Sequence, residues 1–342
     1  MKIRTKAPLR IGLAGGGTDV SPFCDIHGGC VLNATINMYA YCSLEEKKDN
    51  RVEFISKDIN VSFSGELIDN YELDNILTLH KAVYNRIVRQ FNNGKALSVK
   101  VTTWTDVPMG SGLGTSSTIV VAIISAYREY LNLPLGEYDI AQLAYDIERI
   151  DCRLSGGKQD QYAATFGGFN FIEFSSDNKV VVNPLRIKQS TQYELESRMV
   201  LYYTGLSRES AKIIDDQVKA VSSSSSKTSL NAMFDLKSAA IKMKEALLKS
   251  DIQSIIRLVK ESWEAKKATS SAITNPHINK IIERFESHGV QALKLSGAGG
   301  GGFMLLFIEP EDRFDIENSV SDLGGKFFRF QFKNEGECSW KI

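Results

Sequence analysis

The chain has 342 residues, 43% of them hydrophobic and 24% charged, and its 41 basic and 41 acidic side chains cancel. That length accommodates two domains of ordinary size, and the composition is that of a soluble globular protein. The charge balance argues against a nucleic-acid binder acting through bulk charge, and no apolar run approaches the about 18 residues of a membrane span. Five cysteines (Cys24, Cys30, Cys42, Cys152 and Cys338) form no Cys-x-x-Cys pair, which suits a reducing, cytoplasmic setting and speaks against a zinc site. The opening Met1-Lys2-Ile3-Arg4-Thr5-Lys6 has no signal-peptide core.

In chain order, Val31–Leu44 and Arg51–Ile55 read as strands, and Ile76–Phe91 as a helix stopped by Asn92-Asn93-Gly94. Leu97–Thr103 alternates like a strand, and Ile119–Leu131 is an apolar run of helical length. Asp139–Arg149 reads as a helix broken before Gly156-Gly157, Lys158–Phe166 as a short helix closed by Gly167-Gly168, and Phe169–Phe174 as a strand. The polar, turn-rich Ser175–Gln192 marks the expected boundary between domains 1–185 and 186–342. Beyond it, Met199–Tyr203 reads as a strand and Ser222–Ser226 as a surface loop. Ala232–Leu248, Ile252–Ala268 and Ile278–Ser287 read as helices. Ala292–Ser296 and Phe303–Ile308 flank a glycine run as strands, and Phe327–Lys333 is the expected last strand.

The most informative stretch is Pro108-Met109-Gly110-Ser111-Gly112-Leu113-Gly114-Thr115-Ser116-Ser117, a glycine-rich turn between a strand and a helix. Glycines let backbone approach a ligand closely, and a helix start offers unpaired N–H groups to phosphate. The hydroxyls of Thr115, Ser116 and Ser117 suit a phosphate oxygen or a hydrated magnesium ion, although simple helix capping selects the same residues. No Lys-Ser/Thr pair closes the loop as in a Walker A motif, and the Gly-x-Gly-x-Gly spacing is not the dinucleotide-binding one. Two more glycine clusters exist: Leu9–Asp19, containing Gly15-Gly16-Gly17-Thr18-Asp19, and Leu295–Phe303, containing Ser296-Gly297-Ala298-Gly299-Gly300. Three clusters beside strands point to several backbone segments converging on one ligand, while a hairpin connection is an equal reading of the third.

Taken in order, the three clusters resemble the three motifs of the GHMP small-molecule kinase superfamily over nearly the whole chain. Ala7-Pro8-Leu9-Arg10 leading to Gly15–Asp19 is similar to its sugar-1-kinase branch, and Gly28–Asn37 most resembles heptose 7-phosphate kinases. The resemblance implies an α+β fold of two lobes: an N-terminal lobe like ribosomal protein S5 domain 2 and a C-terminal ferredoxin-like α/β sandwich. It implies ATP and Mg2+, a small-molecule sugar phosphate acceptor, and no nucleic-acid or membrane partner. It places the catalytic base at Asp160 with Arg10 beside the transferred group, and ATP on Pro108 and Gly110–Ser117. Ser296–Gly300 line the transferred phosphate, and Ser116 and Glu148 are the magnesium ligands. The acceptor falls to Gly15, Gly16, Gly17, Thr18, Asp19 and Arg208.

A carboxylate within reach of the substrate hydroxyl is what a general base requires, and phosphoryl transfer is otherwise a matter of positioning and charge. Arg4, Lys6, Arg153, Lys158 and Arg208 are the candidate cations for a phosphate on the sugar, with Arg208 first. His27, His80, His277 and His288 show no ligand spacing. The alternatives are a 1-kinase for an unphosphorylated sugar such as L-fucose or galactose, and a nucleotide-binding regulator without catalysis. Two or more cations in the cleft about a sugar length from Asp160 would favour the phosphorylated acceptor.

Overall fold

The computed structural model describes residues 1–206, 214 and 227–342, so Arg208 and Ser222–Ser226 lie outside the described residues. The strands in chain order are β1 Lys2–Ala14, β2 Gly29–Glu46, β3 Arg51–Ser56, β4 Val61–Glu66, β5 Val99–Thr105, β6 Phe169–Phe174, β7 Val180–Pro184, β8 Met199–Tyr203, β9 Ala292–Leu295, β10 Phe303–Phe307, β11 Lys326–Phe328 and β12 Cys338–Lys341. The first sheet runs β12-β1-β2-β5-β3-β4, with β6 and β7 continuing from β2. The long β2 pairs along one edge with β1, and along the other with β5 over Ala40–Glu46 and with β6 over Gly29–Ala34.

One irregularity in this sheet decides where the chemistry sits. The register of β1 on β2 shifts between Pro8 and Arg10. Before the shift the odd residues face the helical layer: Ile3 and Ala7 join its core, and the Thr5 hydroxyl donates to the Ala122 carbonyl at 2.7 Å. After it Leu9, Ile11 and Leu13 pack into the core shared with the second sheet, and Arg10 turns to the helices. Proline in a strand lacks the ladder donor and favours such a break. Arg4 and Lys6 therefore share a face with each other but not with Arg10.

The helix Thr115–Leu131 is buried from Ser117 to Tyr127 on every side, between the sheet and the neighbouring helices. A helix apolar all round belongs in the centre of a core. The helices Glu137–Asp146 and Gln159–Phe166 pack beside it.

The second sheet is antiparallel in the order β11-β8-β10-β9, the fourth, first, third and second of its strands in the chain. One face carries the helices Pro276–Ser287 and Arg313–Ser319. The other shares a core with the first sheet and with the helices Lys227–Leu248 and Ile252–Lys267. This is the two-lobe α+β architecture that the resemblance implies.

Three expectations are corrected. Phe327–Lys333 forms a strand only over Lys326–Phe328. Phe330 and Phe332 then alternate into the shared core, and Phe332 bridges Ile36 of the first sheet. The alternation is genuine but serves a strap between sheets. The last strand is instead Cys338–Lys341, which returns to pair with Ile3–Lys6 at the edge of the first sheet. The polar stretch Ser175–Gln192 conceals β7, whose Val180 and Val182 are the only inward residues of an edge strand. Asp139–Arg149 is not one regular helix, because an α-helix ends at Asp146 and a π turn spans Ile147–Asp151.

Phe332 contacts Phe169 at 4.5 Å and Phe330 at 5.4 Å between ring centroids. Phe332→Ala should lower stability by about 3 kcal/mol, read as an earlier midpoint in urea unfolding.

Candidate active site

The glycine clusters line one cleft of about 500 Å³ between the two sheets. At its centre Arg10, only 4% exposed, grips Asp160 through Oδ1: Nε donates at 2.7 Å and Nη2 lies at 2.6 Å. Its Nη1 donates to the Gly112 carbonyl at 2.8 Å. One guanidinium thus joins β1, the loop before the Thr115–Leu131 helix, and the first turn of the Gln159–Phe166 helix. Both contacts to Asp160 fall on Oδ1, and among the described residues Oδ2 accepts no hydrogen bond. Gly114 sits against this carboxylate, at φ +80° and with space for a Cβ only 3.0 Å from the Asp160 carboxyl carbon. Glycine is required there on both counts.

Gly112 and Gly297 approach so closely that a Cβ on Gly112 would lie 2.6 Å from the Ser296 carbonyl oxygen. The Phe303 amide donates to the Ser111 carbonyl at 2.8 Å. The second and third glycine clusters therefore interlock, and the third is more than a hairpin connection.

Glu148 lies in the π turn, a feature that re-aims side chains within a helix, and is 1% exposed. Its carboxylate accepts from Ser117 Oγ at 3.0 Å and from Gln161 Nε2. Burial raises its pKa, against the opposing pull of Arg149 and these two donors. Arg149 holds the neighbouring loop by donating to the carbonyls of Leu154 and Gly157, both at 3.2 Å. Asp19 accepts from the Gly17 and Gln159 amides at 3.1 Å each and from Gln159 Nε2 at 3.2 Å. Burial and then the Asp160 charge raise its pKa, which the backbone donors counter.

Two family models match, described as GHMP kinases N terminal domain over residues 78–168 and GHMP kinases C terminal over residues 243–325. A D-glycero-alpha-D-manno-heptose 7-phosphate kinase from Campylobacter jejuni is 46% identical, over 99% of both chains. The chain belongs to the GHMP kinase family. A crystal structure named as a D-glycero-D-manno-heptose 1-phosphate kinase from Bacteroides thetaiotaomicron is 44% identical to this kinase and covers 99% of both chains, with a TM-score of 0.85. An L-fucokinase/L-fucose-1-P guanylyltransferase from Bacteroides fragilis is 28% identical over 88% of this chain and 34% of its own length.

The sequence-derived residues of this GHMP kinase divide by place. Arg10, Gly16, Gly17, Asp19, Gly110, Ser111, Gly112, Gly114, Thr115, Ser116, Ser117, Glu148, Asp160, Ser296, Gly297 and Ala298 line the cleft. Thr18 does not, and its expected contact with substrate is corrected. It is fully buried, its hydroxyl lies 2.8 Å from the carbonyls of both Gly15 and Cys30, and it accepts the Cys30 amide. It builds the turn that presents Asp19. Gly15 packs on Cys30, Leu113 is buried beneath the loop, Gly299 packs on Ile273 and the Gly300 amide donates to the Ile273 carbonyl, so these four shape the walls from behind. Pro108 is exposed at the loop's entry. The hydroxyl on Glu148 is that of Ser117, with Ser116 beside it in the cleft. Lys158 pairs with Asp25 at 3.3 Å, and Arg153 is exposed outside the cleft lining.

Lys266 and Lys294 also line the cleft, and the sequence reading missed both. The only local signal was position: Lys266 continues the helical spacing of Ile255, Val259 and Trp263, and Lys294 stands among the apolar residues of Ala292–Leu295. Burial, then Lys294 and Arg10, push Lys266 down to about 7, and burial and then Arg10 push Lys294 to about 8.

An unfolded lysine stays protonated to about pH 10. Between those lowered values and pH 10 the unfolded chain binds more protons, so stability rises with pH in that window. Thermal unfolding from pH 7 to 9.5 should show this rise, and Lys266→Met should flatten it. Gly114→Ala should cut kcat about 10-fold or more by crowding Asp160, measured at saturating substrates.

Proposed function

We propose that this kinase transfers the γ-phosphoryl group of ATP to the anomeric hydroxyl of D-glycero-D-manno-heptose 7-phosphate, giving the 1,7-bisphosphate, in the cytoplasm. The observation that carries the reading is the Arg10–Asp160 pair facing the Gly112–Ser117 loop. The full-length relative named for a heptose 7-phosphate supports that acceptor over L-fucose, whose named relative is less similar.

Asp160 Oδ2 takes the proton as the sugar oxygen attacks the γ-phosphorus in line and the bond to the departing ADP breaks. Arg10 fixes Oδ1, so the base keeps one orientation, and its charge offsets the negative charge of the transferring group. The amides of Gly110–Ser117 at the helix start suit the ATP phosphates. Gly16, Gly17 and Asp19 wall the sugar, and Ser296–Gly300 complete the phosphate side. Arg208 remains the proposed cation from the segment outside the described residues. Domains 1–185 and 186–342 are proposed with β12 returning to the first.

Buried Glu148, on the Ser117 hydroxyl and with Ser116 lining the same cleft, suits a magnesium ion, which keeps most of its waters and needs few protein ligands. We assign it to Glu148 and Ser116, with Ser117 and Gln161 orienting the carboxylate. Bound there, the ion supplies positive charge to the phosphate oxygens.

Asp160→Asn should fold, bind ATP and lose about 100-fold or more in kcat; near-normal turnover would remove Asp160 as the base. Glu148→Gln should shift the magnesium titration to higher concentration. A coupled ADP assay with heptose 7-phosphate, L-fucose and galactose identifies the acceptor, and preferred turnover of a free sugar would overturn the reading.

A further inference from the structure

Two lysines in the cleft have no part in the chemistry above, and Ser296, whose loop faces the phosphates, has a side-chain hydroxyl with no role assigned there. Lys266 and Lys294 are each 6% exposed. Among the described residues neither forms an ion pair with a carboxylate. Their ammonium groups rest on backbone carbonyls, Lys266 on Gly297 and Lys294 on Leu13 at 3.1 Å. Each carbonyl uses one of the three donors of an ammonium group, which leaves two on each lysine. Ser296 is also buried, and its hydroxyl has no hydrogen-bond partner among the described residues. All three line the cleft. A buried cation without an anion is unfavourable, and here two of them share a wall with Arg10. Their mutual repulsion is what a bound anion relieves.

The position of the group indicates which anion. The nucleotide phosphates are served by the Gly110–Ser117 loop and helix start on the first sheet. Lys294 and Ser296 instead come from the end of β9 on the second sheet, and Lys266 from the last turn of the Ile252–Lys267 helix. Lys294 reaches the Leu13 carbonyl, two residues before the Gly15–Gly17 turn, and so stands on the sugar side, where Gly16, Gly17 and Asp19 form the wall. Lys266, held on the Gly297 carbonyl, lines the same cleft from the third glycine loop, near enough to Lys294, Arg10 and Asp19 for their charges to act on it. Four N–H donors and one hydroxyl match the oxygens of a phosphate monoester.

We propose that Lys266, Lys294 and Ser296 form the subsite for the phosphate ester that the acceptor sugar already carries. This rests on the reading of the acceptor as a sugar phosphate. The subsite sets specificity: it anchors the phosphorylated end of the sugar so that the far hydroxyl meets Asp160, and a free sugar leaves both lysines uncompensated.

The test is steady-state kinetics of wild type, Lys266→Met, Lys294→Met and Ser296→Ala with heptose 7-phosphate and with the same heptose lacking its phosphate. Methionine keeps the length and apolar stem of lysine. Each lysine variant should raise KM for heptose 7-phosphate about 10-fold or more, the scale of one hydrogen bond to a charged group, with a smaller rise for Ser296→Ala. The preference for the phosphorylated acceptor should fall by the same factor and KM for ATP should stay within about 2-fold. A purely structural role lowers turnover on both sugars alike and would overturn the proposal, as would a rise confined to KM for ATP. Calorimetric binding of heptose 7-phosphate without ATP reads the subsite independently of turnover, and undiminished binding by the folded lysine variants also overturns it. If wild type neither binds nor phosphorylates heptose 7-phosphate, the acceptor reading itself fails. If wild type prefers it and the variants keep that preference, the subsite alone fails.

Discussion

The cleft depends on one buried guanidinium. Arg10 binds Asp160 and the Gly112 carbonyl at once, so residues about 100 and 150 positions apart converge on a single planar group. A fork of fixed donors holds such geometry where a flexible lysine ammonium would not. Arg10 is the buried member of the pair, while the Asp160 side chain keeps 24% of its exposure, so the guanidinium is the charge that depends on its partner. The register shift after Pro8 is the backbone condition for this contact. Without it Arg10 would share the face of Arg4 and Lys6.

Around that contact the two sheets meet through glycine. The Gly112–Gly297 approach and the Phe303–Ser111 hydrogen bond tie the phosphate loop of the first sheet to the third cluster on the second. A Cβ at either glycine would push the loops apart and widen the space between Asp160 and the phosphate wall. Positioning on this scale matters because phosphoryl transfer draws its rate from alignment and fixed charge. The Phe330–Phe332 strap adds a further tie between the sheets, and β12 returns the chain to the edge of the first.

Charge is distributed unevenly in a chain whose total is zero. The cleft gathers Arg10, Arg149, Lys266 and Lys294 against Asp19, Glu148 and Asp160. The acids are each held by donors on the first-sheet side, whereas both lysines are held only by carbonyls among the described residues. That asymmetry gives the cleft an anionic preference that no bulk property reveals.

The sequence alone determined the local elements and the loops. The Thr115–Leu131 helix, the Gln159–Phe166 helix and strands such as Phe169–Phe174 follow from periodicity and glycine punctuation, because those signals act between near neighbours. The glycine clusters were legible because each is contiguous, whereas Asp160 and Arg10 were singled out only through the family resemblance of the motifs around them. Tertiary structure decided the rest. Thr18 resembled a substrate contact until its hydroxyl proved to be spent inside a turn, and the hydroxyl that meets Glu148, itself in a π turn, is that of Ser117 rather than its neighbour. Lys266 and Lys294 looked like one more lysine on a helix and one in a strand. Only packing two sheets face to face buries them together beside Arg10, since burial and charge proximity between residues far apart in the chain are set by the fold and not by local pattern.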